Sequence, residues 1–216
     1  MKPVYIAVGG VTGAGKSTLV TRLSEKVSGF GKCMSIDERE THHPFLNRLF
    51  FDPERYSFQI QLNFMLQRVL LIKRWLDAGY NLVMERSHKE DRIFPEFLLD
   101  RDLITSGQYR SYMDVWFELD DVTPDPDVLV ILDVSPEQAI DRIIRAEEEG
   151  HRPKEFPNES QRKEWVEGWC KRYQIFLEQV TNDDKHGNIV RVSASEEDPP
   201  SVAERVVRSL HQRGLF

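Results

Sequence analysis

A chain of 216 residues with 40% hydrophobic content can bury one substantial core, so residues 1–216 are expected to form a single domain. A formal net charge of −7 argues against a protein that grips duplex nucleic acid through its backbone and leaves a small phosphate compound as the polyanion such a chain would hold. Cys33 and Cys170 show neither a CxxC nor a Cys/His zinc spacing, the first residues do not read as a signal peptide, and no run approaches about eighteen consecutive apolar residues. A reducing cytoplasm, with no membrane association, is the expected setting.

Val4 to Val8 reads as the first strand, followed by a glycine-rich turn and an amphipathic helix over Lys16 to Lys26. A weaker strand over Lys32 to Ile36 runs into the acidic stretch 37–40. Asp52 before Pro53 and Glu54 marks the start of a long helix to Ala78, and Asn81 to Met84 forms the next strand. The punctuated run Thr123 to Asp127 leads into a strand over Val128 to Leu132, and Ser135 before Pro136 and Glu137 opens a helix to Glu149. Gly150 to Asn158 reads as a loop. A helix over about Glu159 to Val180, a strand over Asn188 to Val192 and a helix over Pro199 to Gln212 complete the pattern. The strands are near-continuous apolar runs alternating with helices, which predicts a three-layer α/β fold with a five-stranded parallel sheet flanked by helices.

The turn after the first strand is Gly10-Val11-Thr12-Gly13-Ala14-Gly15-Lys16-Ser17, followed by Thr18, with the spacing of a P-loop between strand and helix. Glycines let successive backbone N–H groups converge on phosphate oxygens, and the helix N-terminus adds its partial positive charge. Lys16 would reach the transferred and bridging phosphates, and Ser17 would offer its hydroxyl to Mg2+. This is the cradle of a phosphoryl-transfer enzyme, but kinases, switches and motors share it. The DxxG and NKxD signatures of nucleotide-dependent switches do not occur.

Glu85-Arg86-Ser87 ends the third strand, at the rim where open parallel sheets bind ligands. There Arg86 can clamp phosphate and Glu85 can hold Mg2+ through water; the bland alternative is an ion pair that caps the strand. The acidic run 37–40 reads by itself as a solvated stretch, in which Glu38 and Asp37 would be rivals if it supplied a general base. Gln61 and Arg68 lie seven residues, nearly two turns, apart and project from one side of the long helix.

With Asp91-Arg92 and Phe94 following Glu85-Arg86-Ser87, Glu38 preceding Pro44-Phe45-Leu46, and Pro53, Gln61 and Arg68 in order, the chain resembles the P-loop deoxynucleoside kinase family over almost its whole length. That family includes deoxycytidine, deoxyguanosine and deoxyadenosine kinases. The resemblance implies a P-loop kinase fold with a lid at about 142–157 and ATP-dependent phosphorylation of the 5′-hydroxyl of a deoxynucleoside. Glu38, Arg86 and Lys16 would be catalytic, and Gln61, Arg68 and Asp91 would contact a purine or cytosine base. Arg142 and Arg145 would fold over the donor phosphates. ATP and Mg2+ are the implied donor and metal, a nucleoside the implied small-molecule partner, and a homodimer through the helix at Pro53 to Ala78 the implied assembly.

The sequence departs from the family pattern at Phe50, where members usually place a tyrosine that binds the sugar 3′-hydroxyl; phenylalanine keeps the ring but cannot donate. His42 and His43 are nearby polar residues, and Arg152 and Lys154 could share the work of the lid. A thymidylate-type nucleoside monophosphate kinase also has a P-loop, a strand-end arginine and a lid, but needs extra positive charge for its acceptor phosphate. A nucleotide-binding regulatory protein without turnover is the alternative from another class. Trp165 and Trp169, four apart on a helix, read as core or seam residues. Asp133 either assists the metal or caps the turn at Ser135.

Overall fold

The computed structural model describes residues 2–38, 46–181, 189–193 and 198–216. The expectations placed on His42, His43, Pro44, Phe45 and Asn188, and on the side chains of Leu46 and Phe50, lie outside the described residues. Five strands form one parallel sheet: β1 (Tyr5–Gly10), β2 (Cys33–Ile36), β3 (Asn81–Glu85), β4 (Val128–Asp133) and β5 (Ile189–Ser193), in the order β2-β3-β1-β4-β5. The three central strands are β-branched and aliphatic along nearly their whole length, and Ile6, Ala7, Val8, Leu82, Val83, Val128 and Val130 are fully buried. Such runs cannot face water on either side, so helices must cover both faces.

Between the strands run α1 (Lys16–Val27), α2 (Leu46–Phe51), α3 (Pro53–Asp77), α4 (Ile93–Leu99), α5 (Ser106–Asp121), α6 (Pro136–Glu148), α7 (Glu159–Thr181) and α8 (Pro199–Gln212). Helices α1 and α8 pack on each other on one flank, and α4 packs on α7 on the other. Trp169 stacks on Phe94 at 4.0 Å between ring centroids and Trp165 meets Phe97 edge-on at 4.9 Å, which makes both tryptophans part of the α4–α7 packing.

Three expectations about local structure need correction. Asp52 occupies the cap position of α3 but its side chain makes no capping bond. Ser135 caps α6 reciprocally with Gln138, so the exposed Asp133 is not its partner. Helices α4 and α5 were not anticipated: Pro95 interrupts the first, while Ser106 and Gly107 open the second as a turn would. Yet Thr105 and Gln108 form a capping box at α5, bonding at 2.8 and 3.1 Å, and that T-x-x-Q spacing was legible.

Two registers build the site. Val8 of β1 lies opposite Glu85 of β3, and Gly10 lies opposite Leu132 of β4, so the C-terminal ends of the three central strands open side by side.

Candidate active site

The loop leaving β1 folds on glycines in the left-handed region, Gly10 at φ 141°, Gly13 at 83° and Gly15 at 94°. A Cβ on Gly13 would sit 2.6 Å from the Ala139 carbonyl oxygen, so that position needs glycine for space as well as for conformation. Lys16 is buried; its Nζ donates to the Val11 carbonyl at 3.0 Å and lies 3.4 Å from Glu85 Oε1. Burial, with Arg86 nearby, lowers the Lys16 pKa, while Glu85 and Glu38 oppose that fall. Ser17 Oγ donates to Glu85 Oε2 at 2.9 Å, and Arg142 Nη1 reaches across from α6 to the Ala14 carbonyl at 3.2 Å.

Beyond Glu85 the chain turns sharply, with Arg86 itself at φ 65°, a conformation that non-glycine residues hold only where surroundings enforce it. Its N–H is pinned to the Val8 carbonyl at 2.9 Å. From there the guanidinium donates through Nε to Glu38 Oε2 at 3.0 Å and through Nη1 to the Gly10 carbonyl at 3.1 Å, and it lies over the Phe94 ring at 5.2 Å. Arg68 of α3 mirrors it: Nε bridges both Asp91 oxygens at 3.0 and 3.1 Å, Nη1 donates to the Glu85 carbonyl at 2.9 Å, and Nη2 to Glu38 Oε1 at 3.2 Å.

Glu38 is therefore held at both oxygens. Burial alone would raise its pKa, but the charges of Arg86, Arg68 and Lys16 together hold it down at about 2, so it is an anion at every physiological pH. For Asp91, burial dominates and lifts the carboxyl to about 6 against the pull of Arg68. Such a cleft can hold polyphosphate at one end and receive a proton at the other, with Arg86 touching both.

The structure thus gathers Lys16 and Ser17 of α1, Glu38 beyond β2, Arg68 of α3, Glu85 and Arg86 at the end of β3, and Asp91 of the turn that follows. Both arginines bond to Glu38, which favours it over Asp37. Gln61 is buried on α3 like Arg68, the two lying one turn before and one turn after the buried Met65. Arg142 reaches the P-loop, whereas Arg145 and Thr18 are exposed. Glu90 was missed: its carboxylate accepts from the Ser87 N–H at 2.9 Å, the Tyr173 hydroxyl at 2.9 Å and Arg86 Nη1 at 3.4 Å. The S-x-x-E spacing of a capping box, Ser87 to Glu90, was the available signal.

A family model for deoxynucleoside kinases matches residues 6–212. The deoxyadenosine/deoxycytidine kinase of Bacillus subtilis is 33% identical over 170 residues, covering 77% of this chain and 73% of that protein. A thymidylate kinase of Xylella fastidiosa is 30% identical over 165 residues, 71% of this chain and 70% of its own length. A solved structure of the deoxyadenosine kinase from M. mycoides with bound dATP superimposes with a TM-score of 0.77 at 25% identity, over 96% of this chain and all of that one. With the parallel sheet, the P-loop and the Glu85-Arg86-Ser87 strand end in place, the chain belongs to the deoxynucleoside kinase family of phosphotransferases.

Proposed function

We propose that residues 1–216 act as one kinase domain that transfers the terminal phosphoryl group of ATP to the 5′-hydroxyl of a deoxynucleoside with a purine or cytosine base. The observation that carries this reading is the Glu38 carboxylate, bonded to two buried arginines, one of which also bonds to the P-loop carbonyl of Gly10. Lys16 and the backbone amides of residues 10–15 hold the donor phosphates. Glu38 takes the proton from the 5′-hydroxyl as its oxygen bonds to the terminal phosphorus and the bond to the bridging oxygen breaks, leaving ADP. Arg86 and, from the lid at about 142–157, Arg142 and Arg145 meet the negative charge that spreads over the transferred group.

Ser17 and Glu85 offer hard oxygen donors 2.9 Å apart, a set that suits Mg2+, which when bound would neutralise phosphate charge. Gln61, Arg68 and Asp91 read the base, since the Arg68–Asp91 pair presents fixed donors and acceptors to a planar edge. Support for purine or cytosine comes from that pair and from the activity named for the Bacillus relative.

A thymidylate-type monophosphate kinase is the second reading, favoured by the Xylella relatives. It ranks lower because Arg68 and Arg86 are already committed to Glu38, Asp91 and Glu90, so that among the described residues neither is surplus positive charge for an acceptor phosphate. A regulatory protein without turnover would bind ATP and stop there. We further propose a cytoplasmic homodimer. Among the described residues no helix is long and apolar enough to cross a membrane, both cysteines are free, and Leu66 and Leu70 of α3 with Phe117 of α5 expose large apolar side chains.

The test is ATP consumption with each natural deoxynucleoside and each monophosphate, alongside Glu38→Gln. Turnover with a deoxynucleoside that the substitution abolishes, while nucleotide still binds, is expected. Turnover confined to monophosphates would move the function to the second reading.

A further inference from the structure

Glu90 sits on the short 3-10 helix at His88–Arg92 and is 0% exposed. A carboxylate removed from water is costly unless every lone pair meets a donor. A cap for the Ser87 N–H alone would not require it, since a neutral amide oxygen accepts equally well. The other two donors come from elsewhere: Tyr173, in the middle of α7, and the guanidinium of Arg86. The strand below has been cut back to admit them. A Cβ on Gly9 would lie 2.6 Å from the Tyr173 hydroxyl and 3.0 Å from Glu90 Oε2. Ile131 Cδ1 lies 2.9 Å from the same point; Gly9 precedes the P-loop motif and has no left-handed backbone to explain it, so the space taken by these three side chains is the reason for glycine there.

We propose that Glu90, steadied by Tyr173, is a positioning residue for phosphoryl transfer, holding Arg86 in the pose that joins the P-loop to Glu38. The inference rests on the roles proposed above for Glu38 and Arg86. Arg86 leaves a left-handed backbone and spans two sites, so its direction must be fixed from outside. Glu38 cannot do this, because it has to release Arg86 in part when it receives the proton. Glu90 lies 3.4 Å from Nη1, the nitrogen that also donates to the Gly10 carbonyl at 3.1 Å, and unlike that neutral carbonyl it keeps a countercharge there while Glu38 changes state.

Glu90→Gln preserves shape and the acceptor for Ser87 while removing the charge. It is expected to lower kcat at least about tenfold, with KM for ATP and for the nucleoside within about twofold of wild type; Tyr173→Phe should lower kcat about threefold with the same split. In 15N-arginine spectra the Arg86 Nε–H, assigned by its loss in Arg86→Lys, should exchange slowly in the wild-type chain and rapidly in Glu90→Gln. Gly9→Ala, which crowds the Tyr173 hydroxyl, serves if Glu90→Gln does not fold. An unchanged kcat, a KM that rises in step with falling kcat, or an Arg86 signal indifferent to Glu90→Gln each overturns the proposal. A wild-type chain inactive on every deoxynucleoside would sink the proposed function instead, and the arginine spectra would still decide the role of Glu90.

Discussion

The two ends of the cleft are built by opposite means. At the phosphate end, nearly everything comes from eight consecutive residues whose glycines set the backbone. At the acceptor end, Glu38 follows β2, Arg68 belongs to α3, Arg86 follows β3 and Asp91 lies on the next turn, and they meet only through buried ion pairs. A local cradle tolerates no change of shape; a dispersed charge network tolerates no change of charge. Substitutions should therefore fail differently at the two ends.

The largest expected effect is Glu38→Gln, a loss of roughly 10²- to 10⁴-fold in kcat with nucleotide affinity retained. Loss of ATP binding in that variant, measured by calorimetry, would show that the two ends cannot be separated. Arg68→Ala removes the cation that Asp91 and Glu38 share and should cost about 3–5 kcal/mol in urea unfolding. Gly13→Ala forces a Cβ against the Ala139 carbonyl at a φ of 83°, and about 1–3 kcal/mol of strain is expected. Its signature should be weakened nucleotide binding, since the P-loop must shift to relieve the clash.

The pH dependence separates the ends again. Asp91, with its pKa raised to about 6, takes up a proton as pH falls through that value and loosens Arg68. The ratio kcat/KM should fall there, and Asp91→Asn should flatten that limb. Glu38 has the opposite sign: its folded pKa is depressed to about 2, so its contribution to stability is fully present above about 4.5 and is lost as pH falls toward 2. The unfolding free energies of the wild type and Glu38→Gln, followed by fluorescence, should differ by a constant amount above about 4.5 and converge as pH falls toward 2. The smallest effect on folding is expected at Leu70→Glu, within about 0.5 kcal/mol because the residue is 67% exposed, while the dimer proposed above should give way to monomer in sedimentation.

The contrast also explains what could be read beforehand. Lys16, Ser17 and the glycines announce themselves because the phosphate-holding role proposed for them is a property of a continuous segment. Gln61 and Arg68 were readable as sharing a side because helical periodicity links residues seven apart. Glu90 escaped because, although Arg86 lies only four residues before it, Tyr173 reaches it from α7 through packing, and the 82 residues between Glu90 and Tyr173 give no sign of it. Helix α5 escaped although its capping box was present, because Ser106 and Gly107 compete locally for a turn and only docking of Tyr112 and Trp116 decides for helix.

By itself, the order of apolar runs and glycines determined a parallel α/β sheet with a glycine-rich turn of P-loop spacing after its first strand, because strand period, helix period and turn conformation are local properties of the backbone. The tertiary structure decided that β1 lies between β3 and β4, and so that Glu85 stands beside Lys16 and Ser17. It also decided which carboxylate each arginine holds. Those choices depend on burying charge from distant segments in one cleft, where the cost of an unpaired ion exceeds any local preference of the chain.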